Sequence, residues 1–269
     1  ATVGLGTARN FAVLAGETIT NSGLTTITGD VGLHPGSAVT GFGPGADEVT
    51  LNGSLHEADG VAQQAKVHLV TAYNEAAGRS ATEIPTELGG TLLPGGVYDS
   101  ASGTFGITGT LTLDGADDPD AVFIFQMGTT LISATDSSVE LINGADPCNV
   151  FWQVGSSATL GTGSSFQGTI LALTTIELGN AVTVDGRLLA RNGEVTLIGD
   201  TITMDSCAAG PAPTNRPGGG TPPNTASEPP TSVSRADGTV LYVLLLAIAA
   251  AAMIVLGRPR PTRQHVAKR

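Results

Sequence analysis

Residues 150–204 of this 269-residue chain state one pattern three times, at a period of about 18 residues. The three segments are "VFWQVGSSATLGTGSSFQG" from Val150, "TILALTTIELGNAVTVDG" from Thr169 and "RLLARNGEVTLIGDTITM" from Arg187. Aligned, they put Trp152, Ile170 and Leu188 in one column and Val154, Ala172 and Ala190 in a second. Leu160, Leu178 and Leu197 form a third column, and Phe166, Val184 and Ile202 a fourth. A repeat this short cannot bury its own apolar face, so its copies must stack. Each copy reads as three short strands with the apolar columns turned inward. Such stacking makes a parallel β-solenoid of triangular cross-section.

Earlier segments carry the same alternation less regularly. "FAVLAGETITNSGLTTITGDVGLHPGSAVTGF" offers inward Ile19, Ile27, Val31 and Val39, with Thr18, Thr20, Thr26 and Thr28 between them. "GTFGITGTLTLDG" and "AVFIFQMGTTL" continue it further along. Abundant glycine and β-branched residues, with few aromatics and few charges, fit many short strands joined by tight turns. Residues 56–77 break the pattern. There Val61, Ala65, Leu69, Tyr73 and Ala76 recur at spacings of three and four, with Gln63, Gln64, Lys66 and Asn74 off that stripe. This predicts one helix, its narrow face of small residues suited to a flat sheet, with Gly78 as its stop.

What faces outward must carry the function. On the first strand of each coil the outward residues are Phe151/Gln153, Thr169/Leu171 and Arg187/Leu189, and leucines in register need a cover that the helix can supply. The second strand shows Thr159, Glu177 and Thr196. The third shows Ser165/Gln167, Thr183/Asp185 and Thr201/Thr203, and Thr26 and Thr28 fit a comparable face. Neighbouring strands lie about 4.8 Å apart and same-face residues along a strand about 6.7 Å. The threonines therefore form a two-dimensional grid, stiffened by their restricted χ1. Such a grid can hold ordered water, although threonine also favours strands for reasons of packing alone.

Charge is segregated. Residues 1–208 hold five basic residues (Arg9, Lys66, Arg79, Arg187 and Arg191) against twenty-two acidic ones, a balance of −17. A body this acidic repels phosphate backbones, which argues against nucleic acid as a partner. Residues 209–237 are rich in Pro, Gly, Ser and Thr without apolar periodicity and read as an extended linker. "VLYVLLLAIAAAAMIVL", residues 240–256, is an apolar run at the short end of the roughly 17–25 residues that span a bilayer. The predicted membrane helix covers 238–257, and the basic residues of 258–269 place that tail in the cytoplasm and the body outside. An outside body needs export, so the chain is expected to begin after removal of a signal peptide. "PPNTA", residues 222–226, differs from a sortase-type Leu-Pro-x-Thr-Ala/Gly signal by proline in first place. A retained membrane anchor is the simpler reading, with cell-wall attachment as the alternative.

"CNVFWQVGSSATLGTGSSFQGTILA", "GRLLARNGEVTL", "FAVLAGETITNSGLTTITGDVGLHPG" and "LPGGVY" together resemble the microbial ice-binding (antifreeze) family. The resemblance covers nearly all of residues 4–205. It implies a discontinuous right-handed β-solenoid, triangular in section, with one long helix along a side. It also implies adsorption to ice through a flat, hydroxyl-rich face that blocks crystal growth, by a non-enzymatic protein needing no cofactor. On that resemblance the ice-binding residues are Thr183, Thr201, Thr203, Ser165, Thr26 and Thr28 of the third-strand face. Gln167 and Asp185 depart from the small-residue pattern there, and a carboxylate holds a hydration shell of its own. The second-strand face, with Thr159 and Thr196, competes but carries Glu177. The chain thus reads as a monomeric, surface-displayed ice-binding protein anchored in the membrane. The rival reading is a non-enzymatic adhesin on the same fold that binds a glycan or another surface.

Other signals carry less. The aspartates of "DGADDPDA" (Asp114, Asp117, Asp118 and Asp120) lack the spacing of a calcium loop and read as a solvated turn. His34, His56, His68 and His265 show no metal-ligand spacing. Cys148 and Cys207 bracket the three regular coils, and simple stacking would separate them by more than a disulfide spans, although export permits one. Carbohydrate-cleaving solenoids need paired carboxylates in a cleft or a base beside a cation, and no such grouping is apparent.

Overall fold

In a computed structural model of the chain, which describes residues 1–45 and 48–204, each coil turns through three strands and every strand pairing is parallel. The linker at 209–237, the membrane span at 238–257, the tail at 258–269 and Cys207 lie outside the described residues. Among those described, no helix is long and apolar enough to cross a membrane.

The strands stack into three faces. In stacking order the first face begins with Thr82–Glu83, Gly96–Asp99, Phe123–Met127 and Val150–Val154. It continues through the second halves of Ser165–Ala172 and Thr183–Ala190 to Phe11–Ala15, Asp30–Leu33 and Leu55–Glu57. The second face is a separate sheet running from Phe105–Ile107 to Ala38–Thr40. The third runs from Leu92–Pro94, through the first halves of Ser165–Ala172 and Thr183–Ala190, to Thr25–Thr28 and Val49–Asn52. Two strands thus serve both the third and the first face, and they bend at Gly168 (φ 101°) and Gly186 (φ 151°). A Cβ on Gly186 would lie 1.9 Å from the Gly168 carbonyl oxygen, so only glycine fits that corner.

The predicted columns face inward. Trp152, Ile170 and Leu188 are register partners and continue to Val13, while Phe166, Val184 and Ile202 continue to Ile27. Trp152 is fully buried and stacks on Phe125 at 4.2 Å, and its Nε1–H donates to the Gln167 carbonyl at 3.0 Å. The Leu178–Leu197 column is less simple. Glu177 pairs with Thr196 but Asn180 with Ile198, so one extra residue bulges between them while both leucines stay buried.

Chain order and stacking order differ. The N-terminal strands do not precede the coil that starts near Thr82. They stack beyond the last coil, where Phe11–Ala15 pairs with Thr183–Ala190, Thr18–Ser22 with Val195–Ile198 and Thr25–Thr28 with Thr201–Thr203. A return path of several rungs is therefore needed, and the helix Gly60–Ala77 supplies it. Its 18 residues measure about 27 Å, which matches nearly six rungs. Asp59 caps it by accepting from the Ala62 N–H at 2.8 Å, so it starts at Gly60 rather than near His56. Its buried face is Ala62, Ala65, Lys66, Leu69, Ala72, Tyr73 and Ala76.

That face corrects the predicted stripe at two places. Val61 is 50 % exposed, and Lys66, placed off the stripe by its charge, is buried. The Lys66 Nζ donates to the carbonyls of Ala190 (2.5 Å) and Arg191 (2.6 Å), which makes its burial tolerable. The predicted cover holds, since Phe11, Leu14, Phe151, Leu171 and Leu189 form one buried cluster with the helix.

Cys148 is disulfide-bonded, against the expectation from simple stacking. It sits in a short 3-10 turn, Pro147–Asn149, that packs against both Ser165–Ala172 and Thr183–Ala190. The turn leans off its own rung toward those that follow. The acidic turn holds itself together, with Asp114 accepting from the Ala116 N–H and from Asn143, and Asp118 from the Asp120 N–H.

Candidate functional site

Strand alternation carries one residue in two outward, and the register decides which of them meet. On the third face Thr110, Ser138, Ser165, Thr183, Thr201, Thr26 and Thr50 are successive partners through seven rungs. Every position in this column is a hydroxyl. At about 4.8 Å per rung the column is about 29 Å long. Beside it runs a second column in which Gln167, Asp185, Thr203, Thr28 and Asn52 follow one another.

The structure therefore brings all six sequence-predicted residues together. Ser165, Thr183, Thr201 and Thr26 share the first column, and Thr203 and Thr28 are partners in the second. Their hydroxyls make no hydrogen bond within the described residues, so each is free for water. Thr110 and Ser138 differ, their hydroxyls lying 2.8 Å apart in a bond with each other.

Thr50, Thr110 and Ser138 were not anticipated. "EVTLNG" holds Thr50 in the same alternation as "TTIT", but only stacking of the N-terminal strands beyond the last coil places it beside Thr26. Gln167 and Asp185 do occupy the second column, as expected. Near them lies a groove of about 540 Å³ lined by Glu140, Ile142, Pro147, Ser165, Gln167 and Asp185. The open part is the patch formed by Thr183, Thr201, Thr26, Thr50, Thr203 and Thr28.

The second face also carries a column. Ile132, Thr159, Glu177, Thr196, Thr20 and Thr40 are successive partners. Thr159, Thr20 and Thr40 are exposed, Ile132 is 51 % exposed, and Glu177 interrupts the hydroxyls. Beside it the Thr18 hydroxyl donates to Glu194 at 3.1 Å.

Each of these two faces presents a column of regularly spaced hydroxyls, interrupted by Glu177 on the second face and flanked by Gln167 and Asp185 on the third. A parallel solenoid with a returning helix and such columns defines a class of surface-binding protein. The chain belongs to the Ice-binding-like family, which matches residues 13–203.

Among the relatives it is similar to is an ice-binding protein of Nostoc sp. (strain HG1), 50 % identical over 196 residues, or 72 % of this chain and 71 % of that one. Ice-binding protein 1 of Shewanella frigidimarina is 35 % identical over 74 % of this chain, which spans only 26 % of that longer protein. Of solved structures, an ice-binding protein from an Antarctic biological consortium is 44 % identical with a TM-score of 0.72, covering 76 % of this chain and 91 % of its own. One from the Antarctic ascomycete Antarctomyces psychrotrophicus is 40 % identical with a TM-score of 0.71, covering 76 % and 98 %.

Proposed function

We propose that this chain binds ice through the third face and thereby slows crystal growth or recrystallisation. The observation that carries the reading is the in-register run Ser165–Thr183–Thr201–Thr26–Thr50, five free hydroxyls over consecutive rungs, four of them on stiff β-branched side chains. Membership of the family and the names of its relatives support it. A water layer organised on such a grid can join the ice lattice with little further ordering, because the protein groups are already fixed. The apolar run and basic tail of residues 240–269 support display at a cell surface, with the body outside and the C-terminus cytoplasmic.

A second location is favoured by one observation: no described element rises over the second face, where Thr159, Thr20 and Thr40 stand exposed. Thermal hysteresis and ice-crystal shape on the full chain separate the two. Thr183→Tyr/Thr201→Tyr is expected to abolish activity while Thr196→Tyr/Thr20→Tyr keeps it. The reverse pattern moves the site to the second face. An inactive but folded parent removes the ice reading and leaves adhesion.

A further inference from the structure

The outward column of the first face changes chemistry where the helix ends. Under the helix it reads Leu14, Leu189 and Leu171. The next partner of Leu171 is Gln153, which pairs with Gln126. One rung further stands Asp99, itself paired with Glu83. An open cleft of about 620 Å³ lies over this polar stretch, at the corner between the first and second faces, with Tyr73, Asp99, Ser100, Ser102, Gln126 and Gln153 in its lining.

Four of the polar groups have structural work, two of them being Ser100 and Ser102, whose hydroxyls lie 3.2 Å apart and both donate to the Thr104 carbonyl. Gln126 Nε2 donates to the carbonyls of Ala76 and Arg79, both at 2.7 Å, and so closes the end of the helix. The Tyr73 hydroxyl donates to the Val154 carbonyl at 3.3 Å. Gln153 has none: it is 5 % exposed, and its amide makes no hydrogen bond among the described residues but stays open to the cleft that it lines. Asp99 Oδ1, by contrast, is buried without a partner. Leaving that oxygen unpaired is costly, and a ligand seated in the cleft against both side chains would supply its missing donor.

We propose that this cleft binds a neutral sugar unit, with Gln153 as its central contact. One planar amide offers a donor and an acceptor together, which matches two vicinal hydroxyls, and the Asp99 carboxylate beside it accepts from a third. Glu83 and Asp99 repel anionic ligands. A divalent cation would want more carboxylate oxygens than the lining offers, and the amide N–H groups oppose it. Gly103, Gly128 and Gly155 leave the floor of the cleft open for a ring. The site is separate from both hydroxyl faces and does not depend on ice binding.

The test is a titration of the isotope-labelled full chain with d-glucose, d-galactose, d-mannose and maltose, each to roughly 0.1 M, about a hundredfold above a millimolar Kd. The side-chain amide signal of Gln153 and the backbone signals of Ser100 and Ser102 are followed by NMR. At least one sugar is expected to shift all three saturably, and Gln153→Leu to weaken that binding about tenfold or more. The variant should fold with an equal or higher thermal midpoint and unchanged ice-crystal shaping. No saturable shift with any of these sugars overturns the proposal, as does binding unchanged in Gln153→Leu. A shift produced by calcium chloride in place of the sugars overturns it in favour of a cation site.

Discussion

The backbone N–H of Asp200 donates to the Thr25 hydroxyl at 3.1 Å, joining positions 175 apart in the chain. Thr25 Oγ1 in turn donates to Asn21 Oδ1 at 2.5 Å, and the Asp200 carboxylate accepts from the N–H groups of Val182 (2.8 Å) and Ile198 (2.6 Å). This buried network fastens the N-terminal strands onto the last coil, and the continuity of the Thr201–Thr26 hydroxyl column depends on it. In Asp200→Asn the side chain can accept from one N–H but turns a donor toward the other. Urea unfolding is expected to show a loss of about 1–3 kcal/mol. Burial raises the Asp200 pKa, which is only partly offset by its two backbone hydrogen bonds. The folded chain thus holds this proton more tightly than the unfolded one. The stability that this contributes is present at low pH and is lost as pH climbs through the raised folded pKa. That slope should vanish in the variant.

The helix owes its place to the leucine column rather than to its own propensity. Leu189 is fully buried in the cluster that the helix closes. Leu189→Ala leaves a cavity under the helix and is expected to cost about 2–5 kcal/mol. Hydrogen exchange is expected to quicken first in residues 60–77, ahead of the coils. Equal acceleration throughout would mean that the helix and solenoid unfold as one unit.

Lys66 gives stability a pH dependence of its own. Burial, aided by the neighbouring Arg191 guanidinium, lowers its pKa from 10.5 to about 7. Below about 7 both folded and unfolded chains carry the charge, and its burial penalty is constant. Above 7 the folded chain releases a proton that the unfolded chain keeps until near 10.5, so stability rises with pH across that window. The neutral amine still has two N–H groups for its two carbonyl acceptors, so the docking geometry survives. Lys66→Met should abolish the rise, read as denaturation midpoints from pH 6 to pH 10 that stay level in the variant.

Much of this was legible because a solenoid writes its third dimension into its period. Once Trp152, Ile170 and Leu188 fall in one column, the pairing of their strands follows, and the outward threonines between them are fixed as well. The Thr201–Thr26 contact was not legible in that way. Periodicity ranks coils in chain order, and nothing local to "TTIT" says that it stacks after residue 201 rather than before residue 82. Lys66 was misjudged because a charge signals solvent unless acceptors are known, and its acceptors lie on a strand more than a hundred residues away. The disulfide of Cys148 escaped for a related reason, since the lean of Pro147–Asn149 across later rungs is a tertiary displacement that column counting does not contain.

Asp185 limits the third face, and removing it should improve the surface. It lies in register between Gln167 and Thr203, at the edge of the open threonine patch. Its carboxylate is expected to orient water about its own charge rather than on the grid spacing. Asp185→Thr extends the Thr203–Thr28 column by one rung, with a β-branched side chain already suited to the strand. The carboxylate also supports the charge on the nearby buried Arg187, whose pKa burial lowers to about 10. Arg187 stays charged at neutral pH either way, but because it is buried the loss of its carboxylate neighbour is expected to cost up to about 3–5 kcal/mol, so activity is compared at a temperature where both proteins are folded. If the third face meets ice, Asp185→Thr raises thermal hysteresis above the parent, whereas Glu177→Thr on the second face leaves it unchanged. A rise with Glu177→Thr alone would place the contact on the second face, where Thr159 and Thr196 flank that glutamate.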